Sequence, residues 1–113
     1  MTVTDADTAR TLRSGTVDVL ATPRVVALVE EAACRALEGS LNERSTSVGM
    51  RVRVDHLIPT PVGADVVAEA VLEKIEGRRL TFTVSVSDER GLVAAGKVTR
   101  VIVDVERFMS KCT

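Results

Sequence analysis

The stretch from Thr22 to Glu38 is apolar around most of its circumference when it is placed on a helix, and this limits the fold more than any other feature. Thr22 and Pro23 predict the helix start, because threonine can cap the first-turn amides and proline fits the first helical position. Gly39 predicts its end. At about 3.6 residues per turn, the polar side chains fall on one line. This line comprises Arg24, Glu31, Arg35 and Glu38. The rest of the chain must therefore wrap around this helix.

Glu30 interrupts the apolar side of the helix, about one turn from Val26 and from Cys34. A carboxylate in apolar surroundings is costly unless it is paired, hydrogen-bonded or protonated. We therefore take Glu30, rather than the adjacent Glu31, as the first residue that needs a functional explanation. Cys34 is expected on the buried side of the helix.

Length and composition indicate a single domain, residues 1–113, with a real hydrophobic core. Apolar residues make up 45% of the chain, which argues against disorder. A net charge of −1 and an aromatic content of 2% argue against a nucleic-acid partner. No apolar run is long enough to cross a membrane and no signal-peptide pattern is present, so we expect a cytoplasmic protein. Cys34 and Cys112 lack metal-ligand spacing and are expected to be free thiols.

Four strand-like runs follow the helix: Val48 to Ile58, Asp65 to Ile75, Leu80 to Ser87 and Leu92 to Val105. Their alternation of apolar and polar residues is typical of strands with one buried face. In the first run, the predicted inner face carries Val48, Met50, Val52, Val54, His56 and Ile58, and the outer face carries Arg51, Arg53 and Asp55. Residues 1–14 are predicted to be mobile, residues 16–20 to form a short strand, and residues 106–113 to be irregular.

Short connections between the four runs favour an antiparallel sheet. One sheet face must then cover one long helix. This predicts an α+β domain in which an antiparallel β-sheet wraps around one long central helix, the hotdog fold. A single sheet leaves an open edge strand, which a second subunit could pair with, so we expect a homodimer and leave open a tetramer.

Three residues do not fit a plain core: Thr22 at the mouth of the helix, Glu30, and His56, the only histidine. Each has a structural alternative, since Thr22 could cap the helix, His56 could be a satisfied core residue, and Glu30 could pair with an arginine of a partner subunit. Together they are the hydroxyl, carboxylate and imidazole that acyl-transfer hydrolysis uses. Gly49 adds a backbone amide suited to an oxyanion. Thr22 and Glu30 lie about 12 Å apart along the axis, so they need not touch within one subunit, but a site formed between subunits could bring them together.

At these residues the sequence resembles the fluoroacetyl-CoA thioesterase family of hotdog proteins, from about Val17 to Phe108. The most specific segments are Ala21-Thr22, EEAAC from Glu30 to Cys34, Val54 to Gly63 with its histidine and TPxG, EGRRL from Glu76 to Leu80, and RVIVDVERF ending at Phe108. The family hydrolyses thioesters with a threonine, a glutamate and a histidine. The resemblance implies these roles for Thr22, Glu30 and His56, and an oxyanion or substrate contact for Gly49.

The sequence departs from the family ahead of its threonine. The fluoroacetyl-specific enzyme has phenylalanines there that form a lid over the acyl group. The corresponding stretch here, RSGTVDVL, has none, and Arg13 and Thr16 stand at those places. This departure predicts an acyl group other than fluoroacetyl.

We therefore expect an acyl-CoA thioesterase that releases a carboxylic acid and free CoA, with no metal and no cofactor beyond the coenzyme A of its substrate. Either Glu30 or His56 could activate water, or Thr22 or Glu30 could attack first and form a transient acyl-enzyme. Apolar surroundings would suit Glu30 to general-base chemistry. Five arginines are candidates for the CoA phosphates: Arg51, Arg53, Arg78, Arg79 and Arg100. Two alternatives are an acyl-CoA-binding module without activity and a hotdog hydratase of enoyl or hydroxyacyl thioesters. Asp55 beside His56 is predicted on the opposite strand face, which weakens the hydratase alternative.

Overall fold

Four antiparallel strands form one sheet, and one face of this sheet packs on a single long helix in the computed structural model, which describes residues 1–113. The elements are a short 3₁₀ helix Asp5–Asp7, α1 Thr22–Ala36, β1 Ser45–His56, β2 Val67–Glu76, β3 Arg79–Asp88, β4 Gly91–Asp104 and α2 Val105–Ser110. This confirms the predicted α+β class. Neither α-helix combines the length and the apolar character that a membrane span requires.

The strand order in the sheet is β1-β4-β3-β2. Tight turns join β2 to β3 and β3 to β4, and Gly77 in the first of these has a φ of 64°, which glycine adopts without strain. The prediction that short turns connect all four strands was wrong for β1 and β2. These two strands lie at opposite edges of the sheet, and residues 57–66 connect them.

The core lies between α1 and the inner sheet face. In β3 the predicted alternation is confirmed, because Leu80, Phe82, Val84 and Val86 are at most 3% exposed. From α1, Val25 and Val29 are fully buried. Cys34, predicted to be buried, is exposed, because the sheet of one chain covers only one side of the helix.

A β-bulge in β1 changes which residues face the helix. Gly49 lies opposite Arg100 and Arg51 lies opposite Thr99, so Met50 is the extra residue. Gly49 therefore shares the inner face with Arg100, which is 7% exposed, whereas Met50 is 41% exposed. The prediction that Val48 and Met50 face inwards was wrong, since strict alternation does not anticipate a bulge.

The N-terminal segment, residues 1–21 ahead of α1, packs against the body of the fold, although residues 1–14 were predicted to be mobile. Val3 is 1% exposed and its amide donates to the Ala64 carbonyl. Residues 16–20 do not form the predicted strand and contribute only isolated bridges. At the other end, residues predicted to be irregular form α2, because the Asp104 carboxylate accepts from the Arg107 amide and caps this helix.

Candidate active site

The Thr22 hydroxyl and the His56 imidazole meet at the N-terminal end of α1. Oγ1 of Thr22 lies 2.8 Å from Nδ1 of His56, a hydrogen-bond distance. Thr22 is the first residue of α1 and His56 is the last residue of β1, so the contact joins the helix to the edge of the sheet. The structure thus brings two of the predicted site residues together within one chain.

Thr22 does not cap the helix. Ala21 occupies the N-cap position and makes no side-chain cap, and Thr22 lies one residue further in. Its hydroxyl is engaged by His56 instead of by the first-turn amides. The backbone N–H of Thr22 has no acceptor, as expected at a helix start, where the helix dipole favours negative charge. Thr22 therefore places a hydroxyl group and a free backbone N–H next to each other at the start of α1.

His56 is half-buried, and this desolvation lowers the pKa of its imidazole below the ordinary value of 6.5. The ring is therefore mainly neutral near pH 7 and able to accept a proton. Its Nε2 atom is buried without a hydrogen-bond partner, so the contact at Nδ1 with Thr22 orients the ring.

An open groove of about 310 Å³ lies against this pair. Thr22 and His56 line it together with residues of the N-terminal segment and of the loop after β1. Most of these are apolar or small: Ala9, Ser14, Gly15, Val17, Val19, Leu20, Leu57, Ile58 and Pro59. A reactive hydroxyl–imidazole pair beside an apolar groove is suited to a ligand with a polar reacting group and an apolar extension.

Glu30 lies in a second cluster, further along α1. Its Oε2 accepts a hydrogen bond from Nη1 of Arg100 at 3.2 Å. Arg100 also donates from Nε to the Ser47 hydroxyl and from Nη2 to the Ser47 carbonyl, each at 2.9 Å. Gly49 lies directly beneath the carboxylate, since a Cβ built on Gly49 would be 2.5 Å from Oε2. The surroundings of Glu30 are therefore a charged partner and a bare backbone, not the apolar setting that we predicted.

The four predicted site residues thus form two pairs in one chain, Thr22 with His56 and Glu30 with Gly49. Eight residues of helix separate the pairs, about 12 Å along the axis. Arg100 was one of five unranked candidates for the CoA phosphates, each with a surface role as the alternative. Its guanidinium is buried and held by Ser47 and Glu30. The sequence carried a signal for this role of Arg100, because Arg100 is a single arginine at an inward-facing position of an apolar strand.

The remaining arginine candidates for phosphate, Arg51, Arg53, Arg78 and Arg79, are exposed. Asp55 is also exposed, on the face of β1 opposite His56, as predicted. No group of three or more His, Cys, Asp or Glu side chains is arranged to hold a metal ion.

Comparison with known proteins agrees with this architecture. The family model described as fluoroacetyl-CoA-specific thioesterase matches residues 3–106. The fluoroacetyl-CoA thioesterase of Streptantibioticus cattleyicolor is 35% identical over 94 residues, which are 83% of this chain and 68% of that protein. The crystal structure of a mutant of the fluoroacetyl-CoA-specific thioesterase in complex with fluoroacetate and CoA superposes with a TM-score of 0.90 at 32% identity, over 96% of this chain and 91% of that one.

A hot-dog-like protein from Thermanaerovibrio acidaminovorans superposes with a TM-score of 0.91 at 28% identity, over 99% of this chain and 83% of that one. The predicted hotdog fold is therefore confirmed. Since the family model covers nearly the whole chain, this protein belongs to the fluoroacetyl-CoA-specific thioesterase family.

Proposed function

We propose that this protein is an acyl-CoA thioesterase, which hydrolyses a thioester to a carboxylic acid and free CoA. The observation that carries the proposal is the 2.8 Å contact between the Thr22 hydroxyl and the neutral His56 imidazole, beside an apolar groove, in a chain of a thioesterase family. An imidazole in hydrogen-bond contact with a hydroxyl is an arrangement that activates the hydroxyl as a nucleophile.

In this mechanism, Oγ1 of Thr22 attacks the thioester carbonyl carbon while its proton passes to Nδ1 of His56. The carbonyl oxygen gains negative charge beside the free N–H of Thr22, which can stabilise it. The C–S bond then breaks, and the CoA thiolate takes the proton from His56. Water attacks the acyl-threonine ester and gives a proton to a carboxylate. The ester C–O bond then breaks, and Oγ1 of Thr22 takes that proton from the carboxylate as the acid leaves, which restores Thr22.

Glu30 is the carboxylate proposed for the water step, and a homodimer would supply it. β1 is an edge strand, and antiparallel pairing of β1 with its copy would bring the His56 end of one strand alongside the Gly49 end of the other. The Thr22–His56 pair of one subunit would then face the Glu30–Gly49 pair of its partner. Pairing would also cover an open sheet edge and part of the exposed side of α1.

Coenzyme A is the only cofactor-like group in this proposal, and it belongs to the substrate. Its phosphates are assigned to the exposed arginines Arg51, Arg53, Arg78 and Arg79, whose guanidinium groups suit phosphate oxygens. The two exposed free thiols, Cys34 and Cys112, fit a reducing compartment, and we propose a cytoplasmic enzyme.

The test follows the loss of the thioester bond by its ultraviolet absorbance over a panel of short, branched and aromatic acyl-CoAs, which avoids reagents that react with Cys34 and Cys112. Thr22→Val removes the hydroxyl with little change in shape, and Thr22→Ser restores it. We expect Thr22→Val to lower kcat/KM and Glu30→Gln to lower kcat, each by about a hundredfold or more, the usual scale for losing such a group. Glu30→Gln affects kcat because Glu30 acts only after CoA has left.

The matched control is Glu31→Gln, because Glu31 is adjacent to Glu30 but exposed and paired with Arg24. It should retain wild-type turnover. A folded protein that binds CoA esters without hydrolysing any of them would refute the thioesterase and favour an acyl-CoA-binding module. Hydration of crotonyl-CoA without CoA release would favour the hydratase.

A further inference from the structure

Two exposed apolar side chains line the groove beside the Thr22–His56 pair. Val17 is 56% exposed and Leu57 is 53% exposed, and both line the groove. They belong to different segments, Val17 to the N-terminal segment and Leu57 to the loop after β1. Each of the two segments exposes an apolar side chain to water beside the Thr22–His56 pair. This indicates a surface that an apolar ligand covers.

The groove also has room. Its volume of about 310 Å³ lies at the lower end of the range of small-molecule pockets, about 300–1,000 Å³, and is much more than a two-carbon acyl group occupies. The chain has two phenylalanines and no other aromatic residue. Phe82 is fully buried in the core, and neither Phe82 nor Phe108 lines the groove. The small residues Ser14 and Gly15 form part of the wall instead.

We propose that this groove takes the acyl group of the thioester and that the preferred acyl group is an apolar chain of more than two carbons, with Val17 and Leu57 as the residues that determine this specificity. The inference rests on the proposed function for the position of the carbonyl at Thr22. From that point, an acyl chain can extend along Leu57 and Val17 without displacing a core residue.

The physical consequence is a dependence of affinity on chain length. Each methylene that leaves water is worth about 0.8 kcal/mol when fully buried, about fourfold in affinity. Since the groove is open, each methylene is partly covered, and we expect about two- to fourfold per methylene. Replacing Val17 by threonine keeps the shape and puts a hydroxyl where the chain would lie.

The experiment measures calorimetric affinities for S-ethyl-, S-butyl- and S-hexyl-CoA, which have no thioester to hydrolyse, and in parallel kcat/KM for acetyl-, butyryl- and hexanoyl-CoA. Variants are Val17→Thr, Leu57→Thr and the control Val71→Thr. Val71 is 57% exposed on β2, outside the groove, and so matches Val17 in exposure.

We expect wild type and Val71→Thr to bind longer chains more tightly, and Val17→Thr and Leu57→Thr to lose about threefold or more with S-hexyl-CoA but little with S-ethyl-CoA. An affinity that does not rise with chain length, or an equal rise in all four proteins, overturns the inference even if thioesters are hydrolysed. The expected affinity pattern without hydrolysis of any thioester supports the groove and refutes the proposed function.

Discussion

Gly49 and Glu30 are so close that a side chain at position 49 would collide with the carboxylate of Glu30. A Cβ on Gly49 would be 2.5 Å from Oε2 of Glu30, well inside contact distance, so Gly49→Ala must displace the carboxylate from Arg100. We expect Gly49→Ala to lower kcat at least tenfold and the free energy of unfolding by about 1 kcal/mol, because the displaced atom is the end of a flexible, partly exposed side chain that loses its hydrogen bond with Arg100. Turnover assays and denaturant unfolding measure both quantities.

Shortening the glutamate provides the control. Glu30→Asp withdraws the carboxylate by one methylene, so the double variant with Gly49→Ala should regain stability relative to Gly49→Ala alone. Additive losses in the double variant would show that the two residues do not collide.

The lowered pKa of His56 predicts how the free energy of unfolding changes with pH. Because burial lowers the pKa of its imidazole in the folded state, the unfolded chain binds more protons below about pH 6.5. The contribution of neutral His56 to the free energy of unfolding is complete above pH 6.5. It is lost as the pH falls towards the pKa of His56 in the folded state. We expect unfolding free energies from pH 7 to pH 5 to fall more steeply in wild type than in His56→Gln. Parallel curves would contradict a depressed pKa.

At the scale of elements, one ion pair ties the N-terminal segment to α1. Asp7 Oδ1 lies 3.1 Å from Arg24 Nε, and Asp7 Oδ2 accepts from the Thr4 amide at 2.8 Å. The Thr4 amide, with the Thr4 hydroxyl and Arg24, holds the pKa of Asp7 below its usual value. We expect Asp7→Asn to cost about 1–2 kcal/mol at pH 7 and progressively less as the pH falls below 3.8 through the folded pKa, because the stabilisation is lost as Asp7 is protonated.

Asp18→Asn is the matched control, since Asp18 pairs with Arg10 in the same segment but both side chains are about two-thirds exposed (64% and 65%). Its effect should stay below about 0.5 kcal/mol. Equal losses in denaturant unfolding for the two variants would mean that the Asp7–Arg24 pair is an ordinary surface pair.

These elements also show what could be predicted from the sequence. The helix and β3 follow from local periodicity, and Glu30 and His56 stand out because a polar group interrupts an apolar face. The packing of residues 1–14 depends on contacts with distant residues such as Ala64, and composition does not reveal these. The bulge at Met50 shifts the register by one residue, so the inner position of Gly49 beneath Glu30 required the structure.

For the whole molecule, the proposed mechanism uses both pairs of site residues in one reaction, so it requires two chains for each working unit. Thr22 with His56 and Glu30 with Gly49 lie at different points of α1, and the open edge of β1 is where a second copy can pair. From the sequence, the separation of Thr22 and Glu30 along one helix already suggested that a site between subunits could join them. This separation did not reveal Arg100, which holds Glu30 in place.

The most direct test of this account is complementation between two inactive variants. Thr22→Val and Glu30→Gln chains, carrying different affinity tags, are co-expressed and the doubly tagged dimers are isolated. A dimer with sites shared between subunits keeps one intact site of two, so we predict hydrolysis of acyl-CoA at about half the wild-type rate, with neither variant active alone. Doubly tagged dimers that remain inactive, while wild type hydrolyses the same thioester, would contradict a site built from both subunits.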